Sequence, residues 1–261
     1  MCPILPLGET GIHAYALFTW LGAAAACVLA LPVLRRAGMG ALQAWTALLL
    51  MYASFLAGAR LWNVAVNPGN FLGQTKWYTL KLVGLSLYGG LIASVVALVL
   101  FTKSRKISVL PVLDAMAVPG GVAFCFARLG CFLNGCCGGI ATNSPFGVVF
   151  PQNEPSGPAL PGLLSFVNDK PVHPTQLYEL AGAAAGLLAV VLICRKYDLP
   201  SGSRFLFYAA VFSGVRLLVL PLRALPYTET VRNVLYPGLY LVIILACAAG
   251  LRVLKRINGN H

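Results

Sequence analysis

The sequence predicts an all-α polytopic membrane protein: seven transmembrane helices, N-terminus out and C-terminus in, with a small periplasmic head loop. Three observations predict it. First, 59% of the 261 residues are hydrophobic and only 10% are charged, with a mean hydropathy of +0.81; a soluble domain carries about 25% charged residues. Second, seven stretches reach the roughly 20 apolar residues that a bilayer crossing needs. Third, the basic residues gather at alternate ends of those stretches, the pattern that sets orientation. The net charge of +12 therefore reads as loop lysines and arginines on a lipid bilayer, and no nucleic-acid partner is expected.

The spans lie near 14–34, 43–66, 82–101, 109–131, 176–194, 204–222 and 234–254. The first closes at Pro32 and Arg35-Arg36. The second carries Arg60 near its far end and stops before Asn67-Pro68-Gly69. Residues 70–81, with Lys76 and Lys81, read as interfacial. The third opens on Gly84-Leu85-Ser86-Leu87-Tyr88-Gly89-Gly90 and ends at Lys103, Arg105 and Lys106. The fourth runs into Ala127-Arg128-Leu129-Gly130-Cys131-Phe132-Leu133-Asn134-Gly135-Cys136-Cys137-Gly138-Gly139. Residues 138–172 hold Pro151, Pro155, Pro158, Pro161 and Pro171 and form the head loop; 1–261 is otherwise one membrane domain. The fifth span opens at His173-Pro174-Thr175-Gln176, where proline suits a first helical turn, and ends at Arg195-Lys196. The sixth carries Arg216 and reaches Arg223, and the seventh ends at Arg252, Lys255 and Arg256. No apolar stretch precedes Met1-Cys2, so neither a cleaved signal nor a lipoprotein box is expected there.

With the N-terminus outside, 11 of the 19 basic residues fall in inner loops, 5 lie outside, and Arg60, Arg128 and Arg216 sit within spans. Tyr15, Arg60, Tyr88, Arg128, His173, Gln176 and Arg223 then gather at one face, the outer leaflet of an inner membrane. Arg216 is expected deeper.

A charge at membrane depth is costly and marks function by default. Arg128 has two readings. Its guanidinium fork suits a lipid phosphate, the reading favoured here; the alternative is a structural pair with Glu179 or backbone carbonyls. Arg60 and Arg223 either snorkel or bind. Asn134 either contacts substrate or caps a turn. His173 can simply bond the first turn of its helix, and Tyr15 and Tyr88 can be interfacial aromatics. Cys131, Cys136 and Cys137 allow a Cys131–Cys136 disulfide in an oxidising compartment, a zinc site completed by His173, or small residues packing a tight helix end. A catalytic thiol among them has no base assigned by sequence. No metal or cofactor is expected.

Along most of its length the chain resembles the prolipoprotein diacylglyceryl transferase family. The resemblance rests on Ile12-His13-Ala14-Tyr15, on Gly58-Ala59-Arg60 followed by Asn67-Pro68, and on Tyr88-Gly89-Gly90-Leu91-Ile92. Its most specific parts are Ala127 to Gly135 and His173-Pro174-Thr175-Gln176-Leu177-Tyr178-Glu179. Val215-Arg216, with Arg223 seven residues on, completes it. The chain departs from the family at four places. A histidine before the Gly-Gly of the third span is Tyr88, and Gly-Asn-Phe becomes Gly130-Cys131-Phe132. Asn-Gly-Glu becomes Asn134-Gly135-Cys136, and a glutamate four residues after Arg216 is Leu220.

The resemblance implies transfer of a diacylglyceryl group from phosphatidylglycerol to the cysteine thiol of a prolipoprotein signal peptide at the lipobox. A thioether forms and glycerol phosphate leaves. It places the protein in a bacterial inner (cytoplasmic) membrane, with the active site toward the periplasm. It makes Tyr88, Arg128 and Arg223 the catalytic candidates: Arg128 and Arg223 on the phosphate, Tyr88 where the family base stands. Tyr15, Arg60, Asn134, His173, Gln176 and Arg216 become substrate-binding candidates. Two other classes fit the same residues: a paralogue serving another acceptor or thiol redox chemistry, and a non-enzymatic lipid-binding or assembly protein.

Overall fold

The structure is a computed structural model that describes residues 4–7, 10–68, 85–150, 170–225 and 227–259. The chain opens with a ribbon that the sequence does not announce: β1 (Ile4–Leu7) pairs antiparallel with β2 (Thr10–His13), Leu7 opposite Thr10. Helices follow: α1 (Ala14–Arg36), α2 (Ala41–Val66), α3 (Leu87–Ser104), α4 (Val109–Leu133), α5 (Thr175–Lys196), α6 (Ser203–Val219) and α7 (Tyr236–Gly259). A 3-10 turn (Leu220–Leu222) prolongs α6, and a π-helical turn (Val231–Leu235) leads into α7.

Among the described residues, seven helical segments are long and apolar enough to cross a membrane. This is a multi-pass helical membrane protein. Apolar side chains point away from the bundle, Leu42 at 80% and Leu218 at 76% exposure; a bilayer, not water, is the solvent that accepts such a surface. The spans match expectation within a few residues except at the third. It begins at Leu87 rather than near 82, because Ser86 is extended and its N–H bonds back to the carbonyl of Ala59 on α2. The stretch 70–81 and most of the 138–172 loop (151–169) lie outside the described residues.

The two ends of the bundle are built differently. At one end Leu34, Met39, Ala44, Leu98, Phe101 and Val112 form an apolar cluster. Nearby, the Asp114 carboxylate of α4 accepts the Gly202 N–H at 2.6 Å and the Phe205 N–H at 2.8 Å. It thereby caps two of the unpaired donors at the start of α6. The basic ends of α1 (Arg35, Arg36) and α5 (Arg195, Lys196) complement helix C-termini. At the other end, α2 and α3 meet through glycine. A Cβ on Gly89 would lie 2.5 Å from the Gly58 carbonyl oxygen and against Trp62, so only glycine permits this approach.

Candidate functional site

The site begins where α4 runs out. After Leu133 the chain turns through left-handed backbone at Gly135 (φ 73°) and at Cys137 (φ 63°), a conformation uncommon for a residue with a side chain. The Cys136 N–H closes the turn on the Cys131 carbonyl at 3.0 Å. The first residues of α5 then grip it. Thr175 Oγ1 donates to the Cys137 carbonyl at 3.0 Å, and Gln176 Nε2 donates to the Cys136 carbonyl at 2.6 Å. The chain beyond is tied by backbone pairs: Gly139 N–H to the His173 carbonyl (2.8 Å), His173 N–H to the Ile140 carbonyl (3.1 Å), and Ile140 N–H to the Leu222 carbonyl (2.9 Å). Gly139 has no room for a Cβ against Leu222 and His173. The end of α4, the start of α5 and the end of α6 are thus locked together.

This lock brings three arginines onto one carboxylate. Glu179, one of only seven acidic residues in the chain, is 1% exposed. Arg128 Nε lies 2.8 Å from its Oε2; Arg216 Nη1 and Arg223 Nη1 lie 2.8 Å and 3.1 Å from its Oε1. All three arginines are buried. Arg128 also stacks over Phe124 (4.9 Å), and Arg216 over Tyr88 (5.7 Å), contacts that help offset desolvation of a guanidinium. Three cations share one anion, so the cluster keeps two positive charges in excess in a site walled from water. Buried ions need compensation, and this arrangement is short of negative charge. Burial lowers the Arg223 pKa, opposed by Glu179.

The expectation that Arg128 faces a phosphate rather than pairing with Glu179 requires correction in one respect: the pair is made. It engages Nε, and both of Arg128's readings hold if its remaining N–H groups serve the ligand. Arg216, expected deeper, shares Glu179 with the other two. Tyr88 is 3% exposed and donates its O–H to Ser213 Oγ at 3.2 Å. Gln176 is fully buried with its donor spent on the Cys136 carbonyl, and its Oε1 has no partner. The His173 ring contacts the Tyr178 hydroxyl at 3.4 Å. Asn134 caps α4, its N–H bonding the Gly130 carbonyl. Tyr15, 41% exposed, opens α1 with its backbone against Gly130, within electrostatic reach of Arg128 and the three thiols. Arg60 is partly buried on α2 and is not among the ion-pair partners of Glu179.

Cys131, Cys136 and Cys137 are free thiols whose sulfur atoms all lie within 4.8 Å of one another; His173 does not join them. Hydrogen bonds from Cys131 and Cys136, helped by Arg128 and Arg223, hold the Cys137 thiol well below its usual range, while hydrogen bonding to Cys131 and Cys137 and burial push Cys136 up.

Glu179 and Thr175 are the residues whose roles sequence reasoning underweighted. The signal for Glu179 was available: an acid inside an apolar span is expensive unless paired.

Comparison with known proteins identifies the family. The sequence profile of the prolipoprotein diacylglyceryl transferase family matches residues 3–253. A Clostridium tetani protein named phosphatidylglycerol–prolipoprotein diacylglyceryl transferase is 28% identical over 217 residues, covering 82% of this chain and 82% of its own. Proteins of the same name from Salmonella arizonae and Citrobacter koseri are 28% and 27% identical, each covering 83% of this chain and 78% of their own. This chain belongs to the prolipoprotein diacylglyceryl transferase family.

Proposed function

We propose that this protein transfers the diacylglyceryl group of phosphatidylglycerol to the cysteine thiol of a prolipoprotein signal peptide, with Arg128, Arg216 and Arg223 seating the lipid phosphate. The observation that carries this reading is the excess of two positive charges around Glu179. A lipid phosphate supplies one of the missing negative charges, and it gains as it leaves on glycerol phosphate, when its own charge rises. Prepositioned donors aimed at developing charge are worth roughly 3 kcal/mol each. Glu179 holds the guanidinium groups in place beforehand, so little reorganisation remains for the reaction itself.

The other candidates take supporting roles. Arg60, Tyr15 and Asn134 border the lipid, while His173 and Gln176 hold the turn that carries the cysteines. Tyr88 orders Arg216 through its ring and Ser213 through its hydroxyl. The bias of basic loops supports an orientation with this end of the bundle outward, which in a bacterial inner membrane faces the periplasm.

The test is mass spectrometry of a lipobox peptide incubated with the purified protein and phosphatidylglycerol. The expected product is the peptide heavier by one diacylglyceryl group at its cysteine, with glycerol phosphate released. An unmodified peptide under conditions where the protein binds phosphatidylglycerol would reject the enzyme in favour of a lipid-binding protein.

A further inference from the structure

The site raises a problem of its own. Alkylating a thiol requires the thiolate, and a free cysteine has a pKa of about 8.5. Yet three candidate bases of the site, Glu179, Tyr88 and His173, are each engaged. Glu179 is held by three guanidinium groups. Tyr88 donates its O–H hydrogen bond to Ser213 Oγ. The His173 ring meets Tyr178. His13 stands exposed at the end of the ribbon.

What the site does hold is three sulfur atoms. We propose that Cys131, Cys136 and Cys137 form a three-thiolate zinc site that takes the acceptor cysteine as its fourth ligand and so activates it. The proposal rests on the transferase reading for the identity of that fourth ligand, but not for the metal site. With Zn–S bonds of about 2.3 Å, sulfur atoms around a tetrahedral ion stand about 3.8 Å apart. Sulfur atoms already within 4.8 Å of one another need only small side-chain rotations to reach it. Catalytic zinc keeps three protein ligands and an open fourth position, and zinc deprotonates a coordinating thiol outright.

The surroundings suit such a centre. The turn bearing Cys136 and Cys137 is fixed through both carbonyls by Thr175 and Gln176, the kind of outer support that orients metal ligands. Cys137 lies within electrostatic reach of Arg128 and Arg223, and Cys131 within reach of Arg128. Before the acceptor binds, charge also balances: zinc with three thiolates carries one net negative charge and the lipid phosphate another, together offsetting the two excess positive charges of the arginine cluster. A disulfide would use two of the thiols, remove that negative charge and leave the third sulfur without a role.

The step closes chemically. On binding zinc, the acceptor thiol gives up its proton to solvent. Its sulfur lone pair forms the C–S bond at the glyceryl carbon that carries the phosphate ester. The C–O bond breaks with its electron pair on the departing glycerol phosphate, which the arginines hold and which takes up a proton. Zinc stays divalent, and no oxidant or reductant is needed.

The experiment uses the full chain, purified in detergent under reductant without chelator. Zinc content is measured by elemental mass spectrometry. Binding of Co2+ to metal-stripped protein is followed by thiolate-to-metal charge-transfer absorption, with and without a lipobox peptide and its Cys→Ser counterpart. We expect close to one zinc per chain. Outer-sphere changes already cost about 10- to 100-fold in metal affinity, so Cys131→Ser, Cys136→Ser and Cys137→Ser should each cost more. The cysteine peptide alone should intensify the thiolate band.

Native protein that binds neither zinc nor Co2+, or whose mass shows a disulfide within the trio under reductant, overturns the proposal. So does a band the cysteine peptide leaves unchanged. Should a serine variant fail to fold, the Co2+ titration of the native protein still decides. Zinc bound with no lipid transfer leaves the metal site standing while the transferase reading fails. Transfer by zinc-free protein does the reverse.

Discussion

Replacing Glu179 with glutamine tests the charge argument directly. Glutamine keeps the size and one acceptor oxygen but removes the sole anion shared by Arg128, Arg216 and Arg223. The cluster's excess then rises from two positive charges to three. Breaking a buried ion pair by removing one partner costs about 3–5 kcal/mol, because the remaining charge stays buried and unpaired. At roughly 2–4 °C per kcal/mol for a chain near this size, the melting temperature should fall by roughly 6–20 °C. The second half of the prediction is more discriminating. An anionic lipid at one hundred times its Kd stabilises by about 2.7 kcal/mol, and it should bind the variant no more weakly than the native cluster. Phosphatidylglycerol should therefore restore much of the lost melting temperature, and phosphatidylcholine, which is neutral overall, much less. The assay is differential scanning fluorimetry in detergent with each lipid titrated in. Asp114→Asn is the control. It sits at the opposite end, loses charge from the two bonds that cap α6, and should lower the melting temperature without any dependence on phosphatidylglycerol. A Glu179→Gln protein as stable as the native one, or equally responsive to both lipids, refutes the reasoning.

Two further outcomes follow from the same contacts. Arg128→Lys keeps the charge but loses the planar fork; losing a charge-assisted hydrogen bond of about 1.5–3 kcal/mol should lower kcat/KM for lipid transfer by about 10- to 150-fold. Gly89→Ala forces a Cβ against the Gly58 carbonyl and Trp62; overpacking of this kind costs about 1–3 kcal/mol, readable as a lower melting temperature.

The spans were legible because hydropathy acts over some twenty residues and tolerates an error of a few at each end. The third was misplaced for a tertiary reason: Ser86 spends its N–H on α2 instead of on a helix. The motif residues were legible as a group, since a guanidinium in an apolar run has few explanations. Their geometry was not. Arg216 appears deeper than Arg128 when residues are counted from a helix end, but that count ignores the packing by which α6 delivers it to Glu179. Likewise Cys131, Cys136 and Cys137 have an irregular spacing for any metal motif. They converge only because the chain turns back through left-handed backbone at Gly135 and Cys137, and nothing local in the sequence signals a positive φ at a cysteine. Gln176 was legible as a site residue, but not that its Nε2 holds the turn in place.

Leu220 offers the converse of removing Glu179. It is 4% exposed and follows Arg216 by four residues as α6 runs into its 3-10 turn, a spacing that sets side chains on one helical face. Arg216 Nε is a buried donor without a hydrogen-bond partner. Ordinarily a charge placed at an apolar buried position is strongly destabilising, because nothing pairs with it. Here Leu220→Glu would meet that waiting donor and cancel one of the two excess positive charges, so the stability read from the melting temperature should change by less than about 2 kcal/mol, well below the usual cost of an unpaired buried charge. The lipid response should move the other way. With less charge left to satisfy, the stabilisation given by phosphatidylglycerol should shrink relative to the native protein, and KM for the lipid should rise. If Leu220→Glu unfolds the protein, the Nε is not accessible from that position. If it folds and the lipid response is undiminished, the excess charge is not what draws the phosphate.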